Sequence, residues 1–161
     1  MVAFLAAVVS LLPMAATAAG DYVQIAYVRP HRLELVPSDA RALLNDVNVA
    51  RAQRGLSALA ADPRLSQFAL QVAEQMAQRR YFGHTDPNGV TFEDRLRASG
   101  MRYRYASENM AFDQDEPHAH QAFLHSPGHY ANMVDPHPRR IGVAVVAAGD
   151  GEIFYVEEFA D

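Results

Sequence analysis

The stretch Ile141-Gly142-Val143-Ala144-Val145-Val146-Ala147-Ala148 constrains this chain most, because it is apolar at every position and so at both faces of a strand. A strand that alternates apolar and polar residues has one wet face, whereas one with no polar face is a covered central strand. Gly149-Asp150-Gly151 supplies a turn, and Glu152-Ile153-Phe154-Tyr155-Val156-Glu157-Glu158-Phe159 returns as the second arm of a hairpin.

Ahead of the hairpin the spacing of apolar residues is helical. Ser38 reads as an N-cap for a helix carrying Ala40, Leu43, Leu44, Val47 and Ala50 on one side, ending at Arg54-Gly55. Asp62-Pro63 opens a second helix, where Leu65, Phe68, Ala69, Val72, Ala73, Met76 and Ala77 form a continuous apolar stripe that packs on the core. A short third helix runs from about Thr91 to Ser99 and stops at Gly100, and Asp115-Glu116-Pro117 starts another that reaches His125. Between them, 101–112 alternates loosely, with Glu108 at the end of a strand or just beyond it. The pattern predicts an α+β fold in which helices layer on an antiparallel sheet.

At 161 residues with half of them hydrophobic, the chain builds one domain with a real core. Nineteen acidic against fourteen basic residues give a net charge of −5, which argues against nucleic acid as a partner. Residues 2–19 carry no charge and end in Ala16-Thr17-Ala18, a small-x-small site. This reads as a signal peptide over 1–19, an arm or linker over 20–37 and a folded domain over 38–161, in a secreted or periplasmic protein. The alternative is an uncleaved segment that would anchor the chain to a membrane. Cysteine is absent, so thiolate metal sites and a disulfide scaffold are excluded, and any metal must use His, Asp or Glu.

Three polar positions stand out. Ser126 and Pro127 suit a helix start, which places His129 in a first turn, where the helix dipole favours a neutral imidazole able to bind a metal or accept a proton. His84 lies in the turn-rich loop 81–89, and Glu108 lies in a moderately apolar stretch that would partly desolvate it. The expectation is that His84, Glu108 and His129 form one polar site, with Asn132 orienting His129. The bland reading of each is a solvated loop histidine, a carboxylate satisfied by backbone N–H groups or by nearby arginines such as Arg102 and Arg104, and a packed core histidine. His118 and His120 read as solvated. The H-E-x-x-H, G-x-S-x-G and G-x-G-x-x-G patterns are absent.

Read in order, Asn48-x-x-Arg51, Leu59 with Asp62-x-x-Leu65, Phe82-x-His84, Phe92-x-x-Arg95, Ser107-Glu108-Asn109, Ser126-Pro127-Gly128-His129-x-x-Asn132-Met133, Ile141-Gly142-Val143 and Glu158-Phe159 resemble the bacterial branch of the CAP superfamily. That family is also called the SCP-like extracellular domain, after cysteine-rich secretory proteins, antigen 5 and pathogenesis-related 1 proteins. The resemblance covers about residues 40–159. It implies an α-β-α sandwich with a three-stranded antiparallel sheet between helical layers and a surface cleft. It also implies a cleft of two His and two Glu, which in some members holds zinc or another divalent cation. His84, Glu108 and His129 match three of the four; the second Glu has no counterpart, and Phe123 stands where Trp is usual. The resemblance leaves two functions as expectations. One is a non-catalytic exported binding module whose cleft holds a divalent ion at His84, His129 and Glu108, with a lipid, a cell-wall polymer or a protein as partner. The other is a metal-assisted hydrolase in which Glu108 acts as general base, with His84 and His129 on the metal.

Overall fold

The computed structural model describes residues 22–25, 33–148 and 151–161. The expected signal segment and the Gly149-Asp150 part of the hairpin turn lie outside the described residues. In chain order the elements are β1 (Tyr22–Gln24), β2 (Glu34–Leu35), α1 (Pro37–Gln53), β3 (Ala60–Ala61), α2 (Pro63–Arg79), β4 (Tyr81–Gly83), α3 (Phe92–Ala98), β5 (Ala106–Asp113), α4 (Glu116–His125), α5 (Pro127–Met133), β6 (Arg140–Ala147) and β7 (Ile153–Ala160). None of these helices is long and apolar enough to cross a membrane.

The hairpin and β5 form an antiparallel sheet, with β7 between β6 and β5. Two short strands extend it beyond the expected three: β2 pairs with β6 antiparallel at Leu35 and Val146, and β3 pairs with it in parallel at Ala61 and Ile141. Both are two-residue connections that happen to pass the β6 edge, too short to show a period in sequence. In the 20–37 segment β1 also pairs with β4.

Alternation along the strands divides the core in two. Met110, Ala144 and Val156 face α2, joining Leu65, Phe68, Ala69, Val72, Ala73 and Met76. Ala111, Val145, Tyr155 and Phe159 face the opposite layer, joining Leu43 and Val47 of α1, Ala119 and Phe123 of α4 and Met133 of α5. This is the α-β-α sandwich. Each large side chain removed from water here contributes about 1.5–3 kcal/mol.

The α2 layer approaches very closely at one point. A Cβ on Gly142 would lie 2.1 Å from the Leu65 carbonyl carbon, so only glycine lets the helix start rest on β6.

Local caps follow the sequence at α2, α3 and α4. Asp62 accepts from the amides of Arg64 and Leu65, Thr91 and Asp94 form a capping box, and Asp115 caps α4. Helix α1, however, begins at Pro37 with Val36 at the cap position, and Ser38 instead bonds Asp39. Proline at the first position supplies a preset φ and lacks one of the N–H groups that the helix start would otherwise leave unpaired.

Two polar clamps tie α1 to later segments of the chain. Asn48 exchanges two hydrogen bonds with the backbone of Leu59, at 2.7 and 3.2 Å. Arg51, 2% exposed, donates to the carbonyls of Ser57, Met133 and Asp135, and so satisfies the C-terminal end of α5.

Candidate functional site

Strand β5 is the edge of the sheet next to β7, and the site is built on that edge. Successive residues of a strand point to opposite faces. The adjacent pair Glu108 and Asn109 therefore reaches into the two layers from one point. Glu108 is not at a strand end as expected but inside β5, paired with Glu158 of β7, while Asn109 pairs with Glu157.

On the α2 side, Glu108 is held by Arg95 of α3, whose Nη2 donates to both carboxylate oxygens at 3.0 and 3.1 Å. Nη1 of the same guanidinium donates 2.9 Å to the carbonyl of His84. His84 Nδ1 meets Glu108 Oε1 at 2.9 Å. An ionised carboxylate only accepts, so Nδ1 carries a proton, and in the neutral ring Nε2 is the nitrogen left with its lone pair. The His84 loop is anchored by Asp86, which is buried and accepts from the amides of Asn88 and Val90 and from Arg79. Burial alone would raise the Asp86 pKa, but those amides and Arg79 together hold it below its ordinary value.

On the other side, Asn109 donates to the carbonyl of His129 and to Glu157 Oε2, each at 3.0 Å. Asn132 donates to Asn109 Oδ1 at 2.9 Å and to the Glu108 carbonyl at 3.3 Å. Asn132 thus ties α5 to β5 and does not orient the His129 ring as expected. Phe123 does that, standing edge-on to His129 with centroids 5.3 Å apart and planes at 84°. Ser126 occupies the α5 cap position, but its side chain makes no capping bond.

The two imidazoles meet around the β5 edge from opposite layers, with centroids 6.5 Å apart. His129 is pushed below its ordinary pKa, first by burial and then by His84, so it is neutral near pH 7. The helix start predicts neutrality as well; burial is the larger cause.

Carboxyl groups below this pair complete the site. Glu158, 1% exposed, has its pKa raised well above the usual range, first by burial and then by Glu108, with which it shares a hydrogen bond. It is therefore the protonated partner of Glu108. Glu157 is fully buried and pushed up to about 8, mainly by burial.

The residues do not fit a three-ligand metal centre. Both Glu108 oxygens are taken by Arg95 and His84, and its side chain is 1% exposed. Among the described residues no group of three His, Cys, Asp or Glu is placed to hold a metal ion. Two imidazoles sharing one tetrahedral ion through bonds of about 2 Å would have centroids about 5 Å apart. Glu108 reaches the cavity beside His84 with both oxygens already engaged by Arg95 and His84. His125 bonds the Gln121 carbonyl of its own helix, and the Ser107 hydroxyl pairs with that of Tyr105.

Arg95, Asn109, Glu157, Glu158 and Phe123 are the site residues whose part sequence reasoning missed. The dipeptide Glu157-Glu158 in the returning strand of a hairpin with a covered partner was the available signal, since a buried carboxyl demands a partner or a proton. Arg95, not Arg102 or Arg104, neutralises Glu108, because the α3 turn and not sequence proximity brings it there. His120, expected to be solvated, is half-buried.

Comparison with known proteins decides the family. The family model of the cysteine-rich secretory protein family, CAP, matches residues 44–159. The chain belongs to the CAP family. It is 33% identical over 103 residues to the uncharacterized protein YkwD of Bacillus subtilis (strain 168), a match covering 63% of this chain and 40% of that protein. An extracellular protein containing an SCP domain from Bacillus anthracis str. Ames is similar in structure, with a TM-score of 0.67 and 28% identity over 77% of this chain and 40% of that one. An outer surface protein from Borrelia burgdorferi shares the fold at a TM-score of 0.73 and 21% identity, covering 80% of this chain and 97% of the other. This CAP chain thus spans about two fifths of the length of the two Bacillus proteins.

Proposed function

We propose that this CAP domain is an exported binding module whose cleft, at the β5 edge, takes a hydroxyl-rich cell-wall polymer. The observation that carries the reading is the cavity of about 380 Å³ beside His84, lined also by Thr85, Thr91, Phe92, Glu93, Ser107 and Glu108. Its hydroxyls donate and accept, the Glu93 carboxylate accepts, Nε2 of the neutral His84 ring accepts, and Phe92 offers an apolar edge. That mixture suits a sugar polymer better than a lipid, which needs an apolar channel. The two imidazoles then act as hydrogen-bonding groups of fixed tautomer. Extracellular and outer-surface proteins among its structural relatives support export.

The lack of an aligned nucleophile favours binding over hydrolysis: the candidate serines bond elsewhere or bond no histidine, and Glu108 is a structural carboxylate. Calorimetry of the domain with soluble peptidoglycan fragments tests the reading. Heat that disappears in the double variant His84→Ala plus Ser107→Ala supports it. Equal heats for wild type and variant, or none for either, reject it. A parallel zinc titration with His84→Ala plus His129→Ala separates metal uptake from polymer binding.

A further inference from the structure

Away from the cleft, α1 and α4 meet through acids. The Asp46 side chain on α1 hydrogen-bonds that of Glu116, the first residue of α4, and Asp39 of α1 and Asp115 at the α4 cap face the same carboxyl. From β7, two fully buried side chains point the same way. Beyond burial itself, Asp39, Asp115, Glu116 and Asp113 of β5 oppose ionisation of Tyr155, and Glu116 and Asp46 oppose that of Glu157. On α4, His118 is spent on Asp115, and His120 is held below its ordinary pKa by burial despite Asp46.

Four buried polar atoms in this region have no hydrogen-bond partner among the described residues: the Tyr155 hydroxyl, Oε1 of Glu116, Oε1 of Glu157 and Nδ1 of His120. Three ligands do not converge tightly enough here for a cation. A proton is what fits, because two carboxyls can hydrogen-bond only while one of them is neutral.

We infer that Asp46 and Glu116 form a proton-held clasp between α1 and α4, closed in acid and opened in mildly alkaline medium, where it loosens the wall of the histidine cleft. Burial first, and then Asp46, push Glu116 up to about 7. For an acid raised in the folded state, the clasp's contribution is complete below the unfolded value of 4.5 and is lost as pH rises through about 7. Above that, two like charges sit in contact at a helix junction. The movement reaches the cleft through Phe123, two turns further along α4 and packed edge-on against His129. The clasp stands apart from the identity of the cleft's ligand.

Amide hydrogen exchange between pH about 5.5 and about 8.5, corrected for the intrinsic pH dependence of exchange, tests this. In wild type, protection over α4 falls about tenfold or more relative to α2 as pH rises, and the His129 ring resonances move with it. Glu116→Gln, whose amide donates to Asp46 at every pH, removes the pH dependence, and Asp46→Asn does so independently should one variant fold poorly. Flat protection of α4 in wild type overturns the clasp, and so does a fall that persists unchanged in both variants.

Discussion

His84 and Glu108 are joined by a 2.9 Å hydrogen bond from Nδ1 to Oε1, although one belongs to a loop and the other to the edge strand of the sheet. The carboxylate is thereby fully occupied: Arg95 grips it from α3, protonated Glu158 lies beneath it, and only the far nitrogen of His84 faces outward. The pair therefore fixes the orientation of the His84 ring and, while the ring is neutral, its tautomer.

Removing that charge leaves Arg95 buried without a counter-ion. Glu108→Gln is expected to lower folding stability by about 3 kcal/mol or more, measured by urea denaturation, since breaking one half of a buried pair costs far more than the pair is worth. In the wild type, 15N spectra of His84 are expected to show the Nδ1–H form when neutral; Glu108→Ala converts it to the tautomer mixture of free imidazole.

The buried Glu157 makes stability fall in alkali. Its pKa rises from 4.5 unfolded to about 8 folded, so its contribution is complete in acid and disappears as pH passes from about 4.5 to about 8. Glu157→Gln keeps an acceptor for Asn109 and cannot ionise. Unfolding free energies from urea denaturation at pH about 5 and about 9 are expected to differ less in the variant, by an amount on the order of 4 kcal/mol.

Phe123 links core and site. It is fully buried, and Phe123→Ala is expected to cost about 3–5 kcal/mol through the cavity it leaves. Because burial is the main cause of the low His129 pKa, the same variant raises that pKa toward its ordinary value, read by NMR titration of the ring protons.

Gly142→Ala tests the helix-to-sheet contact. The added methyl meets the backbone of Leu65 and Ser66, which cannot rotate away as a side chain would. A loss of about 3 kcal/mol or more is expected in thermal or urea unfolding, beyond the usual range for overpacking.

The helices were legible because caps and periodicity are local. Asp62-Pro63, Thr91 with Asp94 and Asp115 state their helix starts within four residues, and the stripe from Leu65 to Ala77 names its buried face. Ser38 puts the expected start of α1 slightly late, because Val36-Pro37 makes a start without a capping side chain and Ser38 resembles a better one. The extra strands β2 and β3 were not legible at all, since two residues carry no alternation to read.

For the site, the chain by itself determined that two histidines and one carboxylate would be available, that no thiolate could join them, and that Glu108 and Asn109 would point in opposite directions if they lay in a strand. The tertiary structure decided what those groups became. It placed β5 at the sheet edge so that His84 and His129 approach from opposite layers, and it brought Arg95 and Glu158 onto Glu108. The reason is physical: protonation and hydrogen-bond roles depend on burial and on neighbours distant in sequence, and neither is a property of a residue or its local pattern.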